Sequence, residues 1–498
     1  MRRLPPCPDL RAFLDLMAAR GELLRIDDPV SLHLETTAVA SRVLRAGGPV
    51  LRFDHATGAG GARAAMPVIA NLFGTPARVA AGLGLELDQV PEFGAFLAAL
   101  RAPAPVSGAR DALSRWPHLK AALDARSKVI RKGPVQEVVA EGADADLSAL
   151  PVPTCWPGDA GPLLTWPVVL TRPHGSTAEE AGRYNAGIYR AQVLGPDRLI
   201  MRWLQHRGGA AHHRTWDRAG EPMPVAVVLG ADPALLLAGA LPLPEAVSEL
   251  TFAGALRGAR TELVPARTVP MLVPANAEMV IEGWVAPGET APEGPFGDHT
   301  GYYNAAEPYP VLKVSAITRR ASPLFLTTHT GRPPDEPSVI ATVFNDLALP
   351  VIRQQIPEVR DLWLPPAACS YRIAVVAIDK RYPGQARRVM MALWGMLTQF
   401  SYTKMIVVVD ADIDPRDWDD IAWALSTRMD PGRDVVVIEG TPMDSLDFAS
   451  PQAGLAGKIG IDATVKIGPE TTRATPEVLR QAPEAEAFAA ALLARLSP

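Results

Sequence analysis

Within Glu293-Gly294-Pro295-Phe296-Gly297-Asp298-His299-Thr300-Gly301-Tyr302-Tyr303, two carboxylates stand five residues apart among three glycines and a proline. That density of Gly and Pro excludes a regular helix and fixes a tight loop of particular shape. Such a loop can aim Glu293 and Asp298 into one pocket, an arrangement suited to acid/base chemistry. Taken alone, it reads equally as a surface turn whose acids are solvated. A second group of residues shifts that balance.

Asn185-Ala186-Gly187-Ile188-Tyr189-Arg190-Ala191-Gln192-Val193-Leu194 is followed by Gly195-Pro196-Asp197-Arg198 and then Leu199-Ile200-Met201-Arg202-Trp203-Leu204. Strand, Pro-Asp turn and strand predict a hairpin. With Pro196-Asp197 at the tip, Arg190 faces Trp203 and Gly187 faces His206, so the open end gathers Asn185 and His206. A carboxylate from Pro244-Glu245-Ala246-Val247-Ser248-Glu249 could complete a cation site. Amide oxygen, imidazole and carboxylate without thiolate suit Mn²⁺ or Mg²⁺ better than Zn²⁺. Arg190, Arg202 and Arg207, with Gly208-Gly209 beside them, could hold a phosphate through guanidinium forks and close backbone approach. A structural strand histidine and an ordinary basic rim are the plainer alternatives.

The elements that must position these groups belong to a chain of 498 residues, too long for one hydrophobic core. Residues 1–120 read as a mixed α/β domain. Asp9 caps a helix with Leu10, Phe13, Leu14 and Met17 on its apolar face, and Gly21 stops it. Short strands follow at Pro49 to Phe53 and Pro67 to Ala70. The cluster Gly58-Ala59-Gly60-Gly61 between them lacks the Lys-Ser/Thr of a phosphate loop and reads as a hairpin tip. Residues 121–320 carry short β-runs with Pro/Gly punctuation, predicting a barrel or sandwich; strands are expected at Trp166 to Thr171, Pro224 to Leu229, Thr261 to Val264 and Glu278 to Trp284. Residues 321–498 alternate strands (Arg372 to Ile378, Met405 to Val409, Asp434 to Ile438) with helices (Gln385 to Phe400, Pro415 to Arg428 capped by Asp414), predicting a largely parallel sheet. The acids of Asp410-Ala411-Asp412-Ile413-Asp414 read as polar loop and cap chemistry, and an alanine-rich helix is expected from Glu477 to Leu496.

Composition excludes several classes. Hydrophobic residues make up 48% and charged residues 21%, as in an ordinary soluble protein. A net charge of −5 gives no electrostatic case for nucleic acid. Cys7, Cys155 and Cys369 share no CxxC spacing, which argues against a disulfide framework or a thiolate zinc site. The longest apolar stretch, around Ala234 to Leu241, falls short of the ~18 residues of a membrane span. Met1-Arg2-Arg3-Leu4-Pro5-Pro6 has no apolar signal core, so a cytoplasmic protein is expected.

The stretches Asn185 to Arg190, Met201 to Ala210, Ser248-Glu249 before Phe252-Ala253-Gly254, and Glu293 to Tyr303 resemble the UbiD family of decarboxylases, which use prenylated FMN. Thr330-Gly331-Arg332-Pro333-Pro334-Asp335-Glu336-Pro337, Thr427 to Pro431 and Leu446 to Pro451 resemble in particular the branch that acts on 3-polyprenyl-4-hydroxybenzoate in bacterial ubiquinone biosynthesis. The likeness runs from about residue 8 to 468. Gln205 stands where that branch carries Ser.

The resemblance implies a mixed α/β protein with an N-terminal α/β domain, a central FMN-binding split β-barrel and a C-terminal α/β domain that mediates homo-oligomerisation, often as a hexamer. It implies Asn185, His206 and Glu249 as Mn²⁺ ligands, with Glu249 preferred to Glu245. Ile188, Tyr189, Arg190, Arg202, Trp203, Leu204, Arg207 and Gly208 correspond to positions that contact prenylated FMN. Arg190, Glu293 and Asp298 correspond to the catalytic arginine and paired acids, with Asp298 the proton donor. A flavin prenyltransferase is the implied supplier of the cofactor. The implied substrate is an aromatic acid with a polyprenyl tail, which makes peripheral contact with the inner membrane an expectation; a soluble aromatic or acrylic acid is the alternative. A non-catalytic flavin-binding protein has no need of the full Arg190, Glu293 and Asp298 set, and neither does a flavin reductase. A neighbouring Arg lowers a carboxyl pKa, whereas a proton donor needs a raised one. The expectation is therefore that Arg190 pairs mainly with Glu293, while burial and an anionic substrate raise Asp298.

Overall fold

Asp9 begins the first helix, Leu10–Ala19, by accepting the Ala12 N–H, and Leu10, Phe13, Leu14 and Met17 are buried as the periodicity requires. Phe13 meets Phe73, and Phe73 meets Trp166, with ring centroids 5.7 and 5.9 Å apart. The first domain is thereby packed onto the second. The computed structural model describes residues 3–101, 120–121, 123–205, 207–241, 243, 247–396, 398–444, 446–474 and 477–496. The N-terminal sheet runs in the order Leu23–Ile26, Val50–Phe53, Val68–Ala70, Phe325–Leu326. Val50–Phe53 and Val68–Ala70 pair antiparallel across the glycine-rich turn. The last strand arrives from beyond the central domain, so the chain returns to the first sheet before entering the third domain.

Among the described residues the central sheet has nine strands. Its order is Asn185–Ile188, Val168–Thr171, Met223–Leu229, Met279–Glu293, Glu307–Arg319, Arg198–Met201, Ala191–Gly195 and Leu163–Leu164, with Val138–Glu141 also on Glu307–Arg319. Its two longest strands, Met279–Glu293 and Glu307–Arg319, form one antiparallel hairpin. The expected strand from Glu278 to Trp284 is the first half of the former. The latter was not anticipated, because Pro308 and Pro310 punctuate its start. Asn185–Ile188 lies at one end of the strand order and Ala191–Gly195 beside the other, yet only Tyr189 and Arg190 separate them in sequence. The sheet curls into a half-barrel, and the chain crosses its split at those two residues.

That crossing corrects the hairpin expected from sequence. Ala191, Gln192 and Val193 pair with Met201, Ile200 and Leu199, one residue off the expected register, because a bulge between Val193 and Gly195 inserts an extra residue. Arg190 therefore faces Arg202, whose N–H donates to the Arg190 carbonyl (3.4 Å), not Trp203. Asn185–Ile188 pairs with Val168–Thr171 instead of continuing the hairpin, so Gly187 faces Val169.

The C-terminal sheet has the order Val359–Trp363, Ile373–Ile378, Met405–Asp410, Leu455–Ala463, Val435–Pro442. Its three inner strands are parallel, and both outer strands are antiparallel. The expected third parallel strand is thus an antiparallel edge, displaced by Leu455–Ala463, whose glycines hide the strand pattern. The helix expected from Pro415 starts at Trp418, capped by Asp417. Arg428 pairs with Asp410 (2.6 Å) and Asp412 (2.8 Å), a polar role for that acidic cluster. The final helix spans Pro483–Leu496 and buries no side chain. No helix among the described residues is long and apolar enough to cross a membrane.

Candidate active site

The Gly/Pro loop from Glu293 to Tyr303 is the tip of the long central hairpin. Glu293, paired with Glu307, is the last strand residue. Beyond it, Gly294 takes φ +92° and donates its N–H to Gln192 Oε1 (3.0 Å). The loop folds back through Asn304, whose Oδ1 accepts the Phe296 N–H (3.0 Å) and whose N–H donates to the Phe296 carbonyl (3.1 Å). Gly297 bridges to Tyr303, and the Asp298 N–H donates to the Tyr302 carbonyl (3.0 Å). Glycine is required at 297 by contact: a Cβ there would stand 2.2 Å from Trp156 Cδ1.

Arg190, on the crossing at the split, reaches into this tip. Its Nε donates to Glu293 Oε1 (2.8 Å), Nη2 to Glu293 Oε2 (3.2 Å) and to Asn304 Oδ1 (2.7 Å), and Nη1 to Asp298 Oδ2 (2.8 Å). Arg202 Nη1 donates to the same Glu293 Oε2 (2.9 Å). Glu293 is wholly buried between the two guanidiniums, and Phe296 lies 5.3 Å beneath Arg190. The geometry brings Arg190, Glu293 and Asp298 together, as the sequence predicts, but the division of labour differs. Arg190 grips both acids. Burial would raise the Asp298 carboxyl, but His299 and the charges of Arg190 and Arg202 outweigh it and hold Asp298 below the usual Asp range. The carboxyl is thus lowered where the sequence reading expects it raised.

Arg202, expected at a cofactor, places Nη1 of its guanidinium on Glu293. Asn304 and His299 were missed. Nothing in spacing marks Asn304, whereas a histidine adjoining an acid in a Gly/Pro loop is itself a signal. The C-terminal domain reaches the same loop: Phe448 meets Tyr302 edge-on at 5.8 Å, and Asp444 is held by Arg372 (2.8 Å) and Tyr371 (3.1 Å).

The other half of the site forms where Asn185–Ile188, the helix Gly208–Ala219 and the helix Glu249–Arg257 meet. Glu249 opens its helix and accepts the Ala186 N–H on Oε2 (2.8 Å). Its carboxyl is raised above the usual Glu value by burial, against which two backbone N–H groups act. Gly208 starts its helix so near Asn185 that a Cβ would lie 1.9 Å from Oδ1. Arg207, at the preceding position, makes no side-chain cap, and no acid occupies the first turn. Tyr189 Oη accepts the Gly209 N–H (3.1 Å) and lies 3.3 Å from the Asn185 amide. Ile188 ends its strand and contributes to a wall that leaves no Cβ room at Gly239. Trp203 is buried against Gly209 with Nε1 unpartnered among the described residues, and Leu204 is half-buried beside it. His206 and Glu245 lie outside the described residues. Among the described residues no three His, Cys, Asp or Glu side chains group as a metal site; Asn185 and Glu249 are the two expected ligands the structure brings together.

Comparison with known proteins follows the same domains. Residues 14–97, 127–333 and 338–463 match the N-terminal, Rift-related and C-terminal domains of 3-octaprenyl-4-hydroxybenzoate carboxy-lyase, UbiD. The UbiD-class enzyme HmfF from Pelotomaculum thermopropionicum, solved in complex with FMN, is 31% identical with a TM-score of 0.76, covering 94% of this chain and 97% of that one. The chain belongs to the UbiD family of carboxy-lyases. Within that family, vanillic acid decarboxylase of Sedimentibacter hydroxybenzoicus in its closed form superposes with a TM-score of 0.84 at 25% identity, covering 99% of each chain. The 3,4-dihydroxybenzoic acid decarboxylase of Klebsiella pneumoniae gives 0.75 at 25% identity, covering 97% of this chain and 99% of that one.

Proposed function

We propose that this UbiD-family chain decarboxylates an aromatic carboxylic acid using prenylated FMN and a divalent cation, Mn²⁺ by the chemistry of its donors. The observation that carries the reading is Arg190 forked between buried Glu293 and Asp298, with a second set of donors where Asn185, Gly208 and Glu249 meet. Similar proteins support the cofactor: HmfF was solved with FMN, and an evolved dimeric form of it with prFMN. The residues present fit the group. The N-terminus of Gly208–Ala219, where among the described residues Arg207 makes no side-chain cap and Tyr189 takes the Gly209 N–H, offers the Gly208 and Ala210 N–H groups and positive dipole to a phosphate. Asn185 and Glu249 stand at that end, and Glu249, which among the described residues is held only by backbone N–H groups, is a half-buried carboxylate suited to a hard cation. Ile188, Tyr189, Arg190, Arg202, Trp203, Leu204, Arg207 and Gly208 are assigned to the cradle, and His206 is proposed as the third ligand.

Prenylated FMN supplies the electron sink that loss of CO₂ from an aromatic acid requires. The chain does the rest. Arg190 orients the acids and neutralises charge at the tip, the hairpin and the C-terminal domain exclude water, and Asp298 delivers the proton.

For the substrate we propose 3-polyprenyl-4-hydroxybenzoate, giving 2-polyprenylphenol in ubiquinone biosynthesis, on the stretches Thr330 to Pro337 and Leu446 to Pro451. Peripheral contact with the inner membrane would follow from its tail, and a homo-hexamer from the family resemblance. The similarity to decarboxylases of vanillic and 3,4-dihydroxybenzoic acids favours a second reading, a soluble hydroxybenzoic acid. The test is the chain co-expressed with a flavin prenyltransferase, assayed for bound flavin by absorption and for CO₂ release from both acid classes. Purified protein without flavin, or with flavin and no CO₂ from any aromatic acid, overturns the proposal.

Two variants probe the cradle. Glu249→Gln keeps the Ala186 hydrogen bond but removes the charge, and is expected to lower Mn²⁺ and flavin content together. Gly208→Ala drives a methyl into Asn185; a loss of metal affinity of about 10-fold or more is expected, read by elemental analysis against the flavin absorbance.

A further inference from the structure

His299 follows Asp298 in the loop, and the function proposed above gives it no part. Its Nδ1 lies 2.8 Å from Asp298 Oδ1, which also accepts the His299 backbone N–H at 2.8 Å. Asp298 Oδ2 is taken by Arg190 Nη1. The carboxylate is thus clamped edge to edge, one oxygen on a guanidinium and the other on an imidazole. The ring keeps 22% of its side-chain surface exposed, yet Nε2 is buried with no hydrogen-bond partner among the described residues.

This arrangement poses a chemical problem. A proton donor must hold a proton, but Asp298 faces Arg190, Arg202 and His299, all of which favour its ionised form. The surroundings of His299 run the other way. Asp298, Asp444 from the C-terminal domain and Asp335 at the start of the helix Glu336–Gln355 all face it with negative charge. Burial alone would lower the imidazole, but these carboxylates outweigh it and hold His299 above its usual value. Geometry and charge together place the proton of the pair on the histidine.

We propose that His299 is a positioning residue that stores the proton Asp298 delivers. The inference rests on the reading of Asp298 as donor in a decarboxylase. In the resting site the pair is carboxylate and imidazolium. An anionic substrate beside Asp298 adds negative charge at the carboxylate, favouring its protonated form, and Nδ1 passes its proton to Oδ1. The bond from ring carbon to carboxyl carbon then breaks, CO₂ leaves, and the electron pair remains with the substrate. Asp298 gives its proton to that carbon, forming the new C–H bond and restoring its carboxylate. Neutral His299 takes one proton from solvent, matching the one consumed per turnover.

The discriminating variant is His299→Asn, whose amide can donate to Asp298 from near the position of Nδ1 but cannot carry a proton. A merely structural role would be rescued by it. The relay predicts a fall in kcat of about 10²-fold at neutral pH with KM little changed. It also fixes the sign of the pH profile. In the wild type, kcat falls as pH rises through the raised His299 value, because the reservoir empties, and this alkaline limb is absent from the Asn variant. A second readout needs no cofactor: histidine-selective NMR of the full chain, with His299 identified by its loss in the Asn variant. His299 is expected to titrate above the usual ~6.5 and to drop in Asp298→Asn. Wild-type turnover with unchanged kcat and alkaline limb in His299→Asn overturns this inference alone, as does a His299 that titrates at or below the usual value. Cofactor-loaded wild type that releases no CO₂ from any aromatic acid overturns the decarboxylase reading, and this inference with it.

Discussion

Asp298→Asn is expected to reduce decarboxylation by at least about 10²-fold, the low end of what a positioned proton donor contributes, while flavin and metal content stay at wild-type levels. The amide is nearly isosteric, and its oxygen can still accept from Arg190, so the tip keeps its shape. The donors assigned to the cofactor, Asn185 and Glu249, lie on other elements and lose no contact. Activity and cofactor retention therefore separate in this variant, whereas in Glu249→Gln they fall together. Flavin absorbance and CO₂ release measured on one preparation decide the matter; full turnover by Asp298→Asn removes Asp298 from the role. The same variant carries a pH signature in stability. The Asp298 carboxyl is held below its ordinary value of 3.8 in the folded chain. Its pairing therefore stabilises the fold above that value and is lost progressively as pH falls below it. Urea midpoints of the wild type should drop on acidification through this window, and those of Asp298→Asn should drop less.

The sequence carried the chemistry of the site further than its architecture. Residue types and local spacing were enough to mark Glu293 and Asp298 as a possible acid pair and Arg190 as a possible anion holder, because Gly and Pro restrict backbone shape at short range; it was the family resemblance that joined the three into one set. What lay beyond reach depended on long-range pairing. Nothing local says that the acidic loop is the tip of the two longest strands, since Pro308 and Pro310 break the alternation that would reveal the second. Nothing local says that the chain leaves its hairpin at Tyr189 to join the opposite edge of the sheet. That crossing places Arg190 at the split, where its side chain can turn toward the tip. The bulge after Val193 shifted the register by one residue, enough to exchange Trp203 for Arg202 opposite Arg190. Arg202, a cofactor group by resemblance, is in the structure also the second clamp on Glu293. The parallel C-terminal sheet was legible from its apolar runs Ile373–Ile378 and Met405–Asp410, but Leu455–Ala463, with Gly457 and Gly460, gives no such run.

The double clamp makes Glu293 the residue whose loss should cost the fold most. Glu293→Gln removes one negative charge from a wholly buried position held by two guanidiniums, whose side chains are 13% and 6% exposed. The glutamine oxygen can accept from one arginine, but its NH₂ then faces donors on the other. Arg202 is left with no carboxylate among its hydrogen-bond partners, and stranding a buried charge costs about 3–5 kcal/mol. Arg190 retains Asp298 and Asn304, so it should turn further onto Asp298 and bind that carboxylate more tightly as an anion. Two effects then arise from one substitution. Urea unfolding of the cofactor-free chain should move to lower concentration, and turnover should fall because the donor is harder to protonate. The pairing of the two effects tests the arrangement. Arg202→Met in the Glu293→Gln background removes the stranded charge and should recover a large part of the stability. It should not recover turnover, because Arg190 remains free to grip Asp298. Recovery of both would mean that Glu293 acts on the chemistry only by holding the fold, and that Arg190 does not divide its charge between the two acids.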